Sequence, residues 1–514
     1  MFPLSKGQTV PLSVLVLLSL CTAVFGMTPA EYLQSLDKPD FREGHTLPPL
    51  TRFGWTLPFD ARVELAEHWG YALEFGGYAG DRAVDKALTD PTSDGAKCIA
   101  LAAGNPDRYQ LCVICTRDLP EDVAPATWTR NAGGELLNGK GESLGTAQRE
   151  HGMKTVYSPA APESVWREAG RLRAEPIRRI RQKCPIAIVL NGGEYAIGVL
   201  GFHKKAWQQD PAVLAAKGAT PWYNFISASK AQSELLIAQA VRAVVPERQL
   251  YIYYPTTGGT HRNRTADWRN WMYGYQWMKP VSDLPSSEHY YRHFNSGWTG
   301  DNDMLTQALN ARGFEIANGM PLCYDWLCAG WPRKDVKEPD GGFGDMRLYE
   351  GFLKCMYTAG MIGGNAGYYA YPKGGFGAEF PADDPPHWLV QMATFARVHA
   401  LFSHLERFLR QGDLLSGPGR HIWSKDQPAY EFPTGDADAR VLVRKLRTRD
   451  KWLVTAWAAD GRDRKVAVDV PRLGRITVPA RSDGGVYVGH IVDGNAVLHD
   501  PIGPRHPGGA AETR

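Results

Sequence analysis

The sequence predicts an α/β fold: a (β/α)8 TIM barrel followed by a small C-terminal antiparallel β-sandwich. Up to residue 412, short apolar runs typical of buried parallel strands alternate with longer amphipathic runs typical of helices. Eight such strand-like runs can be counted, which is the number that a (β/α)8 barrel requires. From residue 417 the pattern changes to short runs, several of them alternating, that are separated by Gly, Asp and Pro. This change predicts a separate all-β domain over residues 417–500.

The eight predicted strands lie in the barrel region, residues 51–412. They are rich in β-branched, aromatic and other apolar residues, and several are followed by turn-forming Gly, Pro or Thr. The sixth is predicted within a longer segment that ends in Glu-His-Tyr-Tyr. In chain order the strands are predicted at residues 52–56, 71–75, 109–115, 186–191, 250–254, 280–291, 320–326 and 365–371.

The predicted helices are recognised by apolar residues at helical spacing and by their stop signals. Segment 163–183 is basic, and Pro176 predicts a break or kink within it. Segment 227–245 is strongly amphipathic and is stopped by Pro246. The other helices are predicted at residues 63–68, 96–103, 303–311, 346–357 and 387–410. In the C-terminal domain, strands are predicted at residues 421–423, 429–432, 441–446, 452–457, 465–470, 476–478 and 486–488.

The N-terminal 26 residues are typical of a secretory signal peptide, because Lys6 precedes a short apolar run and small residues follow it. No second apolar span follows, so we expect no transmembrane segment after cleavage and a secreted or periplasmic protein. A lipid anchor at Cys21 is an alternative that the preceding Leu20 disfavours. Residues 27–50 are predicted as an N-terminal arm, and residues 501–514 as a disordered tail.

Composition excludes several classes of function. The chain has 514 residues, 43% of them hydrophobic and 22% charged, with a formal net charge of +3. This near-neutral balance gives no reason to expect a nucleic-acid partner. No P-loop or GxGxxG motif follows a predicted strand, and no GxSxG motif is present. We therefore expect neither a nucleotide nor any other cofactor, and the sequence does not specify an oligomeric state.

The fourth predicted strand carries the most informative motif, Asn191-Gly-Gly-Glu194. An apolar run passes through two glycines, which let the backbone turn, and then places a carboxylate at the C-terminal end of the strand. A carboxylate beside a buried strand is expected to be paired or used, because burying an isolated charge is costly. Catalytic residues of α/β barrels lie at this end of the strands. Glu194 is thus a candidate catalytic residue, although it could instead cap a turn or the next helix.

Two more carboxylates lie at later strand ends: Glu288 at the sixth and Asp325 at the seventh. Cleavage of a glycosidic bond needs two carboxyl groups, one to protonate the leaving oxygen and one to attack the anomeric carbon or activate water. Glu194, Glu288 and Asp325 are therefore the predicted catalytic residues. Any of them could instead form a salt bridge to Arg117 or Arg292.

Other polar and aromatic residues at these strand ends are predicted to bind substrate. Aromatic rings can stack on sugars, and arginine can bind sulfate or carboxylate groups through paired hydrogen bonds. The basic residues favour an anionic substrate but could equally be rim charges, and the aromatic residues could pack at the rim. The predicted substrate-binding residues are Trp55, Tyr78, Arg117, Asn191, His203, Tyr254, His261, Arg262, Tyr290, Arg292, Trp326 and Tyr371.

No metal site is predicted. Cys112 and Cys115 have a spacing found in redox and zinc motifs, but no second pair completes a site, so buried thiols are the simpler interpretation. His289 and His293 are four residues apart but lack the glutamate of an HExxH motif. An exported chain could form one or two disulfides, whose pairing the sequence does not specify.

Residues 50–410 resemble the retaining (β/α)8 glycoside hydrolases of clan A, the cellulase and β-galactosidase superfamily. In that clan an Asn-Glu pair on strand four supplies the general acid/base, and a Glu on strand seven is the nucleophile. The resemblance implies that Glu194 is the acid/base, although two glycines separate it from Asn191. Strand seven carries Asp325 in place of Glu. Glu288 is therefore the first choice for the partner of Glu194, and Asp325 is the second.

Together these features predict a secreted glycoside hydrolase that cleaves an anionic polysaccharide or oligosaccharide, sulfated or uronate-containing, by a two-carboxylate, retaining mechanism. One alternative is a non-catalytic glycan-binding surface protein, which would keep the aromatic rim without using the carboxylates. Another is a polysaccharide lyase, which would eliminate across a uronate with a base and a cation such as Arg292. The sequence gives neither the sugar nor the linkage.

Overall fold

A computed structural model describes most of the chain after the predicted signal peptide. None of the helices in the described residues is long and apolar enough to cross a membrane. Residues 1–25, and therefore almost all of the predicted signal peptide, lie outside the description, as do residues 502–514 of the predicted tail. The described residues are 26–52, 57–115, 129–130, 136–137, 158–192, 205–245, 249–254, 279–290, 301–328, 345–367, 375–422 and 424–501.

Eight parallel strands, β1 to β8, form the first two thirds of the fold. They make two four-stranded parallel sheets with the orders β2-β3-β4-β5 and β1-β8-β7-β6. At one junction of the two sheets Leu50 and Tyr71 form a parallel bridge, and at the other the Asp283 N–H donates to the Tyr251 carbonyl (3.0 Å). The strands are Thr51–Arg52, Leu73–Ala79, Leu111–Cys115, Ile188–Gly192, Leu250–Tyr254, Glu288–Tyr290, Cys323–Cys328 and Met361–Ala366.

Helices connect and cover these strands. The helix that contains Pro176 is continuous from Glu163 to Arg181. Its apolar side packs against the helix Trp222–Val244. The predicted helix 387–410 is divided into two at Leu405. The helices, α1 to α11, are Pro29–Ser35, Phe59–His68, Asp81–Thr89, Asp94–Gly104, Glu163–Arg181, Pro211–Lys217, Trp222–Val244, Asp301–Ala317, Met346–Ala359, His387–His404 and Glu406–Gln411.

The strands present two distinct faces. One face, which we name the interior face, contributes a single cluster drawn from both sheets: Ala72, Cys112, Ile114, Ile188, Leu190, Ile252 and Tyr324. The alternating residues form the helix-side face and pack against the helices; examples are Leu73, Val113, Val189 and Leu327. This alternation follows from the two-residue period of a strand. It decides which polar residues can meet a ligand inside the strand array.

The C-terminal region forms two antiparallel sheets. Five strands are ordered β9-β10-β11-β14-β15, and β12 pairs with β13. Val441, Val454, Val468 and Val478 belong to one hydrophobic cluster that draws on both sheets. The strands, β9 to β15, are Gly412–Leu414, Ala439–Leu446, Lys451–Ala458, Arg464–Val470, Gly474–Ala480, Gly485–Val492 and Asn495–His499.

This region is joined closely to the helices of the first part. The guanidinium of Arg444, 1% exposed, donates to the carbonyls of Thr358, Phe408 and Gly412. Gly351 of α9 lies against the indole of Trp457, and a Cβ at this position would come within 2.2 Å of that ring. A side chain larger than glycine would therefore push the two parts of the chain apart.

Several observed elements differ from the predicted ones. The predicted arm contains a helix, α1, whose first turn is capped by Thr28 and Glu31 in a capping box. At the described residues of the predicted strands 421–423 and 429–432 no strand is formed; an isolated bridge joins Arg420 to Pro428, just outside both ranges. The first strand of the C-terminal sheet, β9, begins at Gly412. The structure also contains β15, which was not predicted.

The prediction of buried thiols is confirmed for the two spaced cysteines. Cys112 and Cys115 are both free and buried, and they lie on opposite faces of β3. The other cysteines of the described residues, Cys98, Cys184, Cys323, Cys328 and Cys355, are likewise free and buried. The disulfides that export would allow are not formed among these residues.

We predict that His399 makes the fold sensitive to acid. Burial lowers its pKa from 6.5 to about 3, and its Nδ1 lies 2.6 Å from the Tyr357 hydroxyl. The unfolded chain therefore binds a proton between pH 6.5 and 3 that the folded chain does not, so stability falls as the pH falls through this window. Between pH 7 and pH 5 this histidine should lower the free energy of unfolding by about 2 kcal/mol.

Urea unfolding at the two pH values measures this loss. His399→Gln keeps a hydrogen-bonding side chain but cannot titrate. Between pH 7 and pH 5 the free energy of unfolding of the wild type should therefore fall by about 2 kcal/mol more than that of this variant. His404→Gln, at a more exposed histidine of the same helix, is the control. An equal loss in the wild type and His399→Gln would contradict the prediction.

Candidate active site

Glu288 lies on the interior face at the C-terminal part of the strand array. In the parallel pairing of β6 with β7, Glu288 is opposite Trp326 and His289 is opposite Leu327. Paired residues share a face. Because Leu327 belongs to the helix-side core and Tyr324, two residues before Trp326, to the interior cluster, Glu288 faces the interior. It is partly exposed, as a carboxylate that meets substrate must be.

Asp325 lies on the opposite face. It is 0% exposed, and its Oδ1 accepts a hydrogen bond from the Ser287 N–H (2.9 Å). Its Oδ2 accepts one from the Cys323 thiol (3.1 Å) and lies 3.8 Å from Nε2 of His289. Burial lowers the pKa of His289, although Asp325 opposes this effect. The Asp325 carboxylate is enclosed between the strands and α8. Of the two carboxylates, Glu288 is the one exposed to meet a ligand.

Behind Asp325, a buried ion pair completes the polar cluster. Arg312 and Glu315 of α8 are both fully buried and bonded to each other. The Arg312 guanidinium also donates to the Pro321 carbonyl (2.7 Å), which precedes β7. Burial raises the pKa of Glu315 to about 8, although Arg312 opposes the rise. Arg312 thus joins the C-terminal part of α8 to the residues just before β7 on the helix side.

Asn191 lies near the end of β4 but on the helix-side face, 1% exposed. Its Oδ1 accepts from Arg173 (3.2 Å), and its Nδ2 donates to Glu234 (3.0 Å) and to the Tyr251 hydroxyl (2.8 Å). Glu234 is also bonded to Lys230, which is equally buried. These bonds use the polar atoms of the amide within the fold. They assign Asn191 a role in fixing the end of β4; its predicted contact with substrate stays untested.

A buried carboxylate on the interior face, that of Glu74, was not among the predicted site residues. Glu74 of β2 is opposite Cys112 in register and therefore shares the interior face with it. Its carboxylate accepts from the Arg52 N–H (3.0 Å) and lies 3.1 Å from the Arg52 guanidinium. Burial raises the pKa of Glu74, and Arg52 counteracts this effect. The signal was present in the sequence, since Glu74 interrupts the apolar run Tyr71-Ala-Leu-Glu-Phe75.

Two predicted aromatic residues also lie on the interior face. Tyr78 packs against the interior cluster and is partly buried, whereas Trp326 is 3% exposed. Near them, Asn365 of β8 donates to the Thr51 hydroxyl (3.0 Å). Tyr78, Trp326 and Glu288 thus give this face two aromatic side chains and one carboxylate. Tyr78 and Glu288 are partly exposed and can meet a ligand, whereas Trp326 is buried.

The other predicted site residues cannot be placed against this surface. For Tyr254 and Tyr290 the structure describes the strand positions, at the ends of β5 and β6. The remaining residues lie outside the described ranges: Glu194, Trp55, Arg117, His203, His261, Arg262, Arg292 and Tyr371. Within the described ranges, no group of three or more His, Cys, Asp or Glu side chains could hold a metal ion.

Comparisons with known proteins gave structural similarities alone. No protein-family model matches the chain, and no curated protein matches it. The chain is similar to a family 39 glycoside hydrolase from the gut symbiont Bacteroides cellulosilyticus WH2, with 11% identity and a TM-score of 0.40 over 86% of this chain and 81% of that one. It is similar to a family 36 α-galactosidase from Geobacillus stearothermophilus, with 12% identity and a TM-score of 0.42 over 89% of this chain and 57% of that one.

A third similarity is to a family 5 glycoside hydrolase from Bacteroides vulgatus, with 13% identity and a TM-score of 0.31 over 92% of this chain and 93% of that one. The three TM-scores are low, so they assign neither a family nor an activity to this chain.

We predict that Asn191→Ala destabilises the protein by about 3 kcal/mol. The substitution leaves buried polar groups of Arg173, Glu234 and Tyr251 without this partner, and each such loss costs about 1–3 kcal/mol. Tyr251→Phe, which removes only the hydroxyl that accepts from Asn191, should cost about 1 kcal/mol. Urea unfolding of the three proteins measures both values. A loss below about 0.5 kcal/mol in Asn191→Ala, as at an ordinary surface position, would contradict the assignment.

Proposed function

We propose that this chain is an exported glycoside hydrolase whose two parallel sheets close into one (β/α)8 barrel, with the C-terminal sheets forming a β-sandwich. The observation that carries the proposal is the position of Glu288. It is a partly exposed carboxylate on the interior face, and it is the first residue of the three-residue strand β6. Its register with Trp326, in the second half of β7, places it toward the C-terminal ends of the neighbouring strands, where an α/β barrel keeps its chemistry.

In the proposed reaction Glu194 is the general acid/base and Glu288 is its partner. Glu194 protonates the glycosidic oxygen as the bond to the anomeric carbon breaks, and the Glu288 carboxylate attacks that carbon from the opposite face. Water, deprotonated by Glu194, then releases the sugar and regenerates Glu288. The net stereochemistry is retention. Tyr78, which is partly exposed, provides aromatic surface to the sugar.

The proposed substrate is an anionic polysaccharide or oligosaccharide, sulfated or uronate-containing. The support for this choice is the set of basic residues after the predicted strands, among them Arg117, His261, Arg262 and Arg292. Guanidinium groups bind sulfate and carboxylate groups through paired hydrogen bonds. Neutral glycans are the matched comparison in any test.

Product analysis on a panel of neutral, sulfated and uronate polysaccharides tests the activity. We expect new reducing ends without ultraviolet absorbance, and early NMR spectra should show the retained anomer. Products with an unsaturated, absorbing end would replace the hydrolase with a lyase. Binding to one glycan without cleavage would indicate a glycan-binding protein instead.

We predict that Glu194→Gln and Glu288→Gln each lower kcat about 100- to 10,000-fold, because each removes a carboxyl group used in the transition state. Glu350→Gln is the matched control: this partly buried carboxylate lies on α9, where it pairs with Lys354 (2.7 Å), and its loss should leave kcat unchanged. Initial rates on the substrate that the product analysis identifies measure the change in kcat. Thermal unfolding checks that each variant is folded.

Added azide separates the two roles. Azide can attack the anomeric carbon in place of a missing nucleophile, so it should restore turnover to Glu288→Ala and yield a glycosyl azide of inverted configuration. Full activity in Glu288→Gln would exclude this residue. Full activity in Glu194→Gln would exclude the acid/base assignment.

A further inference from the structure

The strand that carries Glu288 is short, and its backbone is held from one side by β7. Only three residues, Glu288 to Tyr290, form β6. The residue before it, Ser287, is bound through both of its backbone groups. Its carbonyl accepts from the Trp326 N–H (2.8 Å), and its N–H donates to Oδ1 of Asp325 (2.9 Å). Two consecutive residues of β7 therefore fix the residue that precedes Glu288.

The Asp325 carboxylate is itself held in one orientation. Its second oxygen accepts from the Cys323 thiol (3.1 Å), and burial raises the pKa of this thiol, which keeps it a donor. His289 lies on the same helix-side face, with Nε2 3.8 Å from Oδ2 of Asp325. On the other side of the cluster are Arg312 and Glu315 of α8. A buried carboxylate with both oxygens engaged has little freedom to rotate.

We propose that Asp325 is a positioning residue that holds Glu288 at the reaction centre by binding the Ser287 N–H. Ser287 and His289, the two neighbours of Glu288, both lie beside this carboxylate, whereas Glu288 is directed to the interior face. The catalytic part of this inference rests on the proposed function, and the hydrogen bond itself does not.

Positioning of this kind has a measurable consequence. A displacement of about 1 Å at a reacting group can cost about 100-fold in rate, because reacting atoms must meet within a narrow distance and angle. Substrate binding depends on many more contacts than this one. Loss of the Asp325 hydrogen bond should therefore lower kcat and leave KM almost unchanged.

The kinetic test compares Asp325→Ala with Asp325→Asn. The alanine variant removes the acceptor for Ser287, and we expect kcat to fall about 10- to 100-fold with KM within about threefold of the wild type. The asparagine variant keeps an oxygen at the Oδ1 position, so it should recover most of the lost turnover. Equal kcat values in Asp325→Ala and the wild type, or no recovery in Asp325→Asn, would overturn the proposal.

Asp283→Ala is the matched control. Asp283 also accepts a backbone N–H with its carboxylate, from Tyr251 (2.6 Å), but it lies near the N-terminal ends of the strands. Its loss removes the same kind of hydrogen bond away from Glu288 and should leave kcat unchanged. A fall in kcat equal to that of Asp325→Ala would show a general loss of stability and would overturn the positioning role.

Amide hydrogen exchange tests the hydrogen bond without any substrate. In Asp325→Ala the Ser287 amide should exchange at least about 10-fold faster than in the wild type, while the Tyr251 amide is unchanged. Asp283→Ala should show the reverse pattern. Unchanged exchange at Ser287 in Asp325→Ala would overturn the proposal even if the protein is a hydrolase. Full activity in Glu288→Gln would overturn the proposed function and leave this exchange result standing.

Discussion

The alternation of side chains along a strand is the constraint on which the site depends. In β7 the side chains of Tyr324 and Trp326 face the interior, and Asp325 between them faces the helices. A register shift of one residue would exchange these faces for the whole strand. The pairing of Glu288 with Trp326 therefore decides which carboxylate can meet a ligand. Charges on the other face cannot reach a ligand, so they must act through the fold.

Those helix-side charges are costly to bury, and their hydrogen bonds explain how the fold accommodates them. Lys230 with Glu234, and Arg312 with Glu315, are fully buried pairs. A well-packed apolar set would stabilise a fold at least as well as such a pair, but removal of one partner costs about 3–5 kcal/mol. Each pair is tied to a strand: Glu234 through Asn191 to β4, and Arg312 through the Pro321 carbonyl to the start of β7. Directional bonds of this kind fix strand ends in a way that apolar contacts do not.

The sequence predicts the order of the parallel strands better than it predicts strand ends or pairings. The fifth strand was predicted at its observed bounds, because an uninterrupted aromatic run has one simple interpretation. The eighth was predicted too late in the chain, because its two glycines resemble a turn. In the structure they admit close contacts: a Cβ at Gly363 would lie 2.7 Å from the Tyr324 ring, and one at Gly364 would lie 2.6 Å from the Asp325 carbonyl oxygen. The interruption of an apolar run by Glu74 is visible in the sequence, but no local pattern indicates that its partner is Arg52.

The C-terminal region also contacts the half of the fold that carries Glu288, through helix α8. His421 and Arg440 bind the carbonyl (3.0 Å) and the hydroxyl (2.9 Å) of Thr306, which lies on α8. Helix α8 follows β6 in the chain and supplies Arg312 to the cluster behind β7. A three-residue strand has few ladder bonds of its own, so its position depends on the elements that pack behind it. The C-terminal region thus binds the same helix whose Arg312 holds the residue before β7.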